Sequence, residues 1–183
     1  MLPYIFLLVA LGLRFVSMPI AFTSVSAALL FFGARGSRQY AWIPVLLSAI
    51  ADVVLTKYIY GFAVTWDHLV TWAWYAVVVG LGMLLRRTQS PLRIGGASLF
   101  SSVMFFVVSN FAVWAGPYGT MYPRTAAGLS TCYAAAIPFF RHNVTADLVF
   151  TAIFFSIPVL LRGTAGEQLL PAREEARSPI AKI

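Results

Sequence analysis

Long stretches without a charged side chain alternate with short polar connections along this chain. Asp, Glu, Lys and Arg are absent from residues 15–34, 68–85, 94–123 and 125–140. In these stretches the apolar residues run round the whole helix instead of forming one stripe, which is typical of a helix surrounded by lipid. An unpaired backbone group in hydrocarbon costs several kcal/mol, so the segments must be helices that satisfy their own N–H and C=O groups. The pattern predicts an all-α integral membrane protein.

Proline, glycine and charged residues divide this apolar sequence into segments. Met18-Pro19 separates the first two, because proline cannot continue a helix from the preceding residue. Ser90-Pro91 marks a loop, and the turn-rich stretch 116–124 marks another. Arg141-His142-Asn143 interrupts the last apolar stretch. The predicted segments are 2–17, 20–34, 41–60, 68–85, 94–114, 125–140 and 145–161.

Charge asymmetry indicates how the segments cross the bilayer. If 125–140 is an extra helical segment on the outer side, six spans place nine Lys and Arg on the side of both termini and two opposite. If 125–140 crosses too, the counts become six against five. Basic residues favour the cytoplasmic side, so we expect a six-transmembrane-helix bundle with both termini cytoplasmic. The nine are Arg35, Arg38, Arg86, Arg87, Arg93, Arg162, Arg173, Arg177 and Lys182, and the two are Arg124 and Arg141.

Composition supports a single transmembrane domain over 1–162 and a polar, partly disordered cytoplasmic tail over 163–183. The 183 residues are 60% hydrophobic and 10% charged, which accommodates about six spans of roughly 20 residues and no second soluble domain. The net charge of +7 resides in short loops, so we interpret it as topology and expect no nucleic-acid partner. Residues 1–21 lack a basic amino-terminal region and contain Arg14, so we expect a first span instead of a signal peptide.

Asp52 is the most informative single residue, because it lies near the middle of the segment 41–60. A carboxylate at mid-membrane costs a few kcal/mol on insertion scales, which makes it a candidate for contact with a ligand or a coupled proton. The alternative is a structural hydrogen bond to a neighbouring helix. Lys57 is about 140° further round the helix, so it is a poor partner and can instead extend to the membrane surface.

Two further groups lie toward the outer side of the predicted bundle. Asn110, deep in the segment 94–114, can bond either a ligand or a neighbouring helix. Trp114, Tyr118 and Tyr122 follow it, and they suit either an interfacial aromatic belt or the wall of a pocket for a flat ring.

A polar cluster precedes the last segment. Asn143 or Thr145 can cap a helix there, and Asp147 in a first turn suits the helix dipole. The other interpretation is a polar ligand site at the mouth of the bundle. His68 and His142 are too isolated to predict a metal site, and no nucleophile–base set or phosphate-binding loop is present, so we expect neither an enzyme nor a cofactor. Cys132 is interpreted as a buried, inert thiol.

Three stretches resemble an uncharacterised bacterial family assigned to membrane transport. They are 21–33, the sequence Ser48-Ala49-Ile50-Ala51-Asp52, and 109–150, which includes Pro138-Phe139-Phe140 and, further on, Asp147. That family is in turn similar to the substrate-binding (S) components of energy-coupling-factor (ECF) vitamin transporters. The resemblance implies a bacterial inner-membrane protein, a vitamin-like ligand and an energising ECF module as partner. S components dock through an alanine-x-x-x-alanine stripe, for which this chain offers only Ser24-x-x-x-Ala28.

Two functions therefore remain open. The first is an S-component-like uptake protein that binds a small metabolite or vitamin in its outer half. The second is a structural or assembly subunit of a membrane complex with no ligand, in which polar groups join helices and aromatic groups anchor in the interface. For the first, the predicted ligand-binding residues are Asp52, Asn110, Trp114, Tyr122, Tyr133 and Asp147.

Overall fold

The computed structural model describes residues 1–16, 23–116 and 121–177, with side chains as far as Leu161. This part of the chain is helical and contains no strand, so the prediction of an all-α protein is confirmed. A 3₁₀ turn at Arg38–Tyr40 precedes α3, and a π turn at Leu55–Ile59 continues it. The helices are α1 (Leu2–Leu13), α2 (Val25–Arg35), α3 (Trp42–Val54), α4 (Asp67–Leu84), α5 (Pro91–Ala115) and α6 (Ala126–Arg177).

Four helical segments are long and apolar enough to cross a membrane, which makes this a membrane protein by the length and composition of its helices. α1 and α2 have only 12 and 11 residues, or about 18 and 17 Å against a hydrocarbon core of about 30 Å. The count of six spans therefore stays a prediction. The four segments are Arg38–Ile59, Asp67–Leu84, Pro91–Ala115 and Ala126–Leu161.

The last two predicted segments form one helix. α6 runs without a break from Ala126 to Arg177. The separation of 125–140 from the last segment is therefore wrong, and so is the interruption at Arg141-His142-Asn143. The outer-side location of 125–140 stays a prediction. The segment expected as a tail, 163–183, continues the helix backbone as far as Arg177. Its partial disorder stays a prediction, and its last six residues lie outside the described ones.

Bonds along the helix explain why the polar cluster does not break it. Thr145 Oγ1 donates to the Arg141 carbonyl oxygen at 2.9 Å, and His142 Nδ1 lies 2.8 Å from the Pro138 carbonyl oxygen. The polar atom of each side chain thus has a hydrogen-bond partner in the carbonyl group four residues earlier. A helix can continue through such a local bond. Asp147 lies in mid-helix, so the predicted capping role for this cluster is wrong.

The shortest helix, α2, lies at the centre of the bundle. Nine of its 11 residues are buried, and it contacts each of the other five helices. The ring of Phe31 packs edge-on against Phe155 with centroids 5.0 Å apart, and Phe6 stacks on Phe154 at 4.6 Å. These contacts belong to an apolar core that runs along α2.

Two glycines bring α2 and α4 into backbone contact. A Cβ atom on Gly33 would lie 2.1 Å from the Val79 carbonyl oxygen, and one on Gly82 would lie 2.2 Å from that of Leu30. No side chain fits at such distances. Glycine at both positions therefore permits the close approach of these helices, as small residues do at other helix contacts in membranes.

Arg86, in the connection between α4 and α5, holds the carboxyl end of α2. Its Nε donates to the Gly33 carbonyl oxygen at 2.8 Å, and its Nη2 donates to that of Gly36. The last carbonyls of a helix have no intrahelical partner, and a cation beside them also opposes the negative end of the helix dipole. A residue predicted only as a cytoplasmic loop charge thus also fixes the central helix.

Candidate ligand-binding site

Arg14 and side chains from five of the six described helices form a group of polar residues near the amino-terminal end of α2. We call this group the polar layer. Arg14 follows α1, and the remaining members lie on α2 to α6. Its members are Arg14, Ser26, Asp52, Trp72, Tyr75, Ser102 and Asp147.

Asp52 has partners on both carboxylate oxygens. Its Oδ1 lies 2.5 Å from Nη1 of Arg14, and its Oδ2 accepts hydrogen bonds from Trp72 Nε1 at 3.1 Å and Tyr75 Oη at 2.8 Å. The N–H groups of Nη1 do not align as hydrogen bonds, so the contact with Arg14 is an ion pair. Removing one partner of a buried pair leaves an uncompensated charge, which is strongly destabilising. Both oxygens of Asp52 thus have partners within the chain, and Arg14 is paired inside the bundle.

Asp147 is the second buried carboxyl group, and its surroundings differ. Ser102 Oγ on α5 donates to its Oδ2 at 2.6 Å. One helical turn away, Thr151 Oγ1 donates to Ser98 Oγ at 3.2 Å and joins the same two helices. Within the described part of the chain, no Lys, Arg or His forms an ion pair with Asp147.

Two adjoining cavities open beside the polar layer. The first has a volume of about 80 Å³ and is lined by Arg14, Tyr75 and Asp147, among others. The second, between α5 and α6, has a volume of about 180 Å³. Both are lined by Ser102, Phe105 and Asn143, so a small molecule that enters one also meets the walls of the other.

Trp74 supplies a free donor to this region. It lines the first cavity, and its indole N–H is buried without a hydrogen-bond partner among the residues described. A buried donor of this kind is normally satisfied, so one that faces a cavity is available to a ligand or a water molecule.

A larger groove of about 440 Å³ lies elsewhere, near Arg35 and Gln89. Most of its other walls are apolar residues of α5 and α6, such as Ile94, Phe155 and Val159. Such walls suit lipid chains as well as any ligand. The smaller polar cavities are therefore the better candidate for a specific site, because a few convergent polar groups give a site its specificity.

The structure divides the six predicted ligand-binding residues. Asp147 lines the first cavity, and Asn110 lines the second, where its Nδ2 also donates to the Phe106 carbonyl oxygen at 2.8 Å. Asp52 lies behind the first cavity as the partner of Arg14.

None of the three predicted aromatic residues lines either cavity. Trp114 Nε1 donates to the Pro123 carbonyl oxygen at 3.0 Å, and Tyr133 Oη donates to that of Val107 at 2.7 Å. Tyr122 directly precedes Pro123 and is half-buried, and it lines neither cavity. Tyr118, the fourth member of the predicted cluster, falls outside the described residues, as does the predicted break at Met18-Pro19.

A family model covers almost all of this sequence. Residues 1–169 match a family of unknown function, DUF6580. The chain belongs to this family. The comparisons with curated proteins and with solved structures found no match to this chain.

Sequence reasoning missed most of the polar layer. In the sequence, Arg14 served only as an argument against a signal peptide, although an isolated Arg in an apolar helix is the same signal as an isolated Asp. The two residues are 38 positions apart, and no periodicity links them. Trp72, Tyr75 and Ser102 gave no signal, because aromatic and hydroxyl side chains are ordinary in membrane helices.

The remaining candidates have local partners or exposed positions. Lys57 is exposed and lies over the ring of Tyr58. His68 Nε2 is 3.2 Å from Thr56 Oγ1. Cys132 is buried, with its thiol 3.5 Å from the Asn110 carbonyl oxygen. No group of three metal-ligating residues occurs among the residues searched, which are those the structure describes.

Proposed function

We propose that this protein is a membrane transport component that binds a small metabolite within its bundle, in the manner of an S component. The observation that carries the proposal is the pair of adjoining cavities in which polar groups such as Ser102, Asn143 and Asp147 converge inside an otherwise apolar bundle. Buried polar and ionisable groups in a membrane protein are costly and mark ligand or ion pathways. Pockets between the helices of a bundle are a common place for a ligand.

The size of the cavities limits the ligand. Sites for drug-sized molecules enclose roughly 300–1,000 Å³. The two cavities, of about 80 and about 180 Å³, fall below that range. The proposed ligand is therefore a small metabolite or the precursor of a vitamin, not a large cofactor.

The proposed orientation places both termini in the cytoplasm of a bacterial cell, with the protein in the inner membrane. Met1, Arg35 and Leu161 lie together in one groove, so the start of the chain and the end of the apolar part of α6 share one end of the bundle. Nine basic residues against two support a cytoplasmic location for that end. The 36 residues of Ala126–Leu161 extend about 54 Å, so part of α6 projects beyond the hydrocarbon.

Coupling to an energising ECF module needs a surface other than the one the resemblance implies. Ser24 and Ala28 are 1% and 0% exposed. The Ser24-x-x-x-Ala28 stripe is thus covered by neighbouring helices, and the proposal does not depend on such a module.

A structural subunit without a ligand is the second candidate. The observation that favours it is Asp52, whose two oxygens are both satisfied within the chain. Trp114 and Tyr133 likewise bond to backbone carbonyls. Under this alternative the polar layer only joins helices, and purification yields a stable complex with no response to ligands.

A thermal-shift screen of the purified protein against vitamins, their precursors and amino-acid-sized metabolites tests the first candidate. A ligand that binds only the folded state adds about 2.7 kcal/mol of stability at 100 times its Kd, so a true ligand raises the melting temperature. Asn143→Ala removes a side chain that lines both cavities and should abolish the shift.

His142→Ala is the matched control, because the neighbouring His142 is exposed and bonded to its own helix. It should leave the shift unchanged. No response across the whole panel would overturn the proposal. A response that survives Asn143→Ala would place the ligand elsewhere.

A further inference from the structure

The two buried carboxyl groups of the polar layer share one basic side chain. Asp52 and Asp147 are 5% and 6% exposed. Arg14 lies 2.5 Å from Asp52, so its charge is already neutralised. Asp147 has the hydroxyl of Ser102 as donor and no ion-pair partner in the described chain. The layer thus holds one more acidic than basic group.

The amino-terminal end of α2 reduces this imbalance without removing it. Thr23, Val25 and Ser26, from the start of that helix, line the same cavity as Asp147. A helix amino terminus acts as roughly half a positive charge. An ionised Asp147 therefore leaves about half a negative charge on a side chain that is only 6% exposed, where charge is weakly screened.

Aromatic side chains line both the cavity that contains Asp147 and the adjoining cavity. Trp74 and Phe105 line the cavity that contains Asp147, and Phe106 and Phe140 line the adjoining one. The rings of Phe106 and Phe140 lie 4.5 Å apart between α5 and α6. Aromatic faces attract cations, and their apolar area suits the flat body of a ligand.

We infer that the site takes a small organic cation. Its ammonium group pairs with Asp147, and its apolar body extends along Phe105 and Phe106 toward Asn110. This inference rests on the proposed function and names the chemical class of the ligand. A bound amine supplies the positive charge that the polar layer lacks. An alcohol or a carboxylate of the same shape supplies no such charge.

Three probes with the same ring separate charge from shape: benzylamine, benzyl alcohol and benzoate. Each is titrated calorimetrically into the full-length protein in lipid nanodiscs at neutral pH, where benzylamine is a cation. Benzylamine should bind at least about tenfold more tightly than benzyl alcohol, which corresponds to about 1.4 kcal/mol. Benzoate should bind more weakly than either, because its charge repels Asp147.

Asp147→Asn should abolish the preference for the amine, since an amide accepts the Ser102 hydrogen bond without the charge. Asp67→Asn is the control, because Asp67 is a half-exposed carboxyl group at the start of α4 and lies outside both cavities. It should leave all three affinities unchanged. The comparison of probes on the unaltered protein remains decisive if Asp147→Asn does not fold.

The outcomes distinguish failure of the cation inference from failure of the proposed function. Equal binding of amine and alcohol overturns the inference. It would indicate that Asp147 is neutral and interacts only with groups of the protein at the amino-terminal end of α2. Neutral or anionic ligands in the metabolite screen, without any amine, also overturn it while the proposed function stands. Silence of all probes and of the whole screen overturns both.

Discussion

The two ends of α2 lie in opposite environments, although the helix has only 11 residues. Its carboxyl-terminal part, which carries Phe31, packs against Phe6 and Phe155, and the backbone of α4 is in direct contact with it. Its amino-terminal end meets cavities, carboxyl groups and hydroxyl groups. The carboxyl-terminal part of α2, with the residues packed on it, is a close-packed region that we call the frame. The amino-terminal end borders a cavity lined by polar groups.

The difference indicates how a polar site persists inside a membrane bundle. The frame positions α2 through glycine contacts and the bond from Arg86, so the polar groups beyond it need not supply all of the packing energy. Substitutions in the frame should change stability alone. Substitutions in the polar layer should change stability through unpaired charges, and near Asp147 they should change binding as well.

The largest effect is expected from breaking the ion pair of the polar layer. Asp52→Leu leaves Arg14 buried without its partner and should destabilise the protein by about 3–5 kcal/mol. The double variant with Arg14→Leu should recover the part of this loss that comes from the unpaired charge. The donors Trp72 Nε1 and Tyr75 Oη lose their acceptor in both variants, so recovery should be incomplete. Unfolding by a denaturing detergent measures both. Additive losses in the double variant would contradict a direct pair.

A smaller effect is expected in the frame. Gly82→Ala places a Cβ 2.2 Å from the Leu30 carbonyl oxygen and should destabilise the protein by about 1–3 kcal/mol through forced separation of α2 and α4. Gly80→Ala, two residues away on the same helix, meets no atom within 4 Å. It should be neutral or stabilising by up to about 1 kcal/mol, because alanine favours helix. Equal melting temperatures for the two variants would argue against the backbone contact.

The smallest effect is expected from a single hydroxyl group. Tyr75→Phe removes one of the donors to Asp52 while the Arg14 ion pair and the Trp72 bond remain, so the loss should be about 1 kcal/mol. Tyr60→Phe alters an exposed ring and should stay within about 0.5 kcal/mol of the unaltered protein. Thermal melting in the same detergent compares them. A Tyr75→Phe variant as stable as the control would show that this bond contributes nothing.

The sequence predicted helices bounded by charge and proline better than the last helix, which carries polar residues in its middle. The segments 68–85 and 94–114 correspond closely to α4 and α5, because charged and proline residues bound them on both sides. The break at Arg141-His142-Asn143 was wrong, since polar side chains bond back to their own helix as readily as they cap a new one. Of the predicted site residues, Asp147 and Asn110 line the cavities.

The sequence by itself determined that the chain is helical and belongs in a membrane, because no other backbone satisfies its hydrogen bonds within uninterrupted apolar stretches. It also singled out Asp52 as a costly buried charge. Only the tertiary structure decided that Arg14 pairs with Asp52, that α2 lies at the centre, and that Asp147 lines a cavity with no ion-pair partner among the described residues. An apolar helix surface looks the same whether it meets lipid or protein, so the choice of neighbours depends on contacts between residues far apart in the chain.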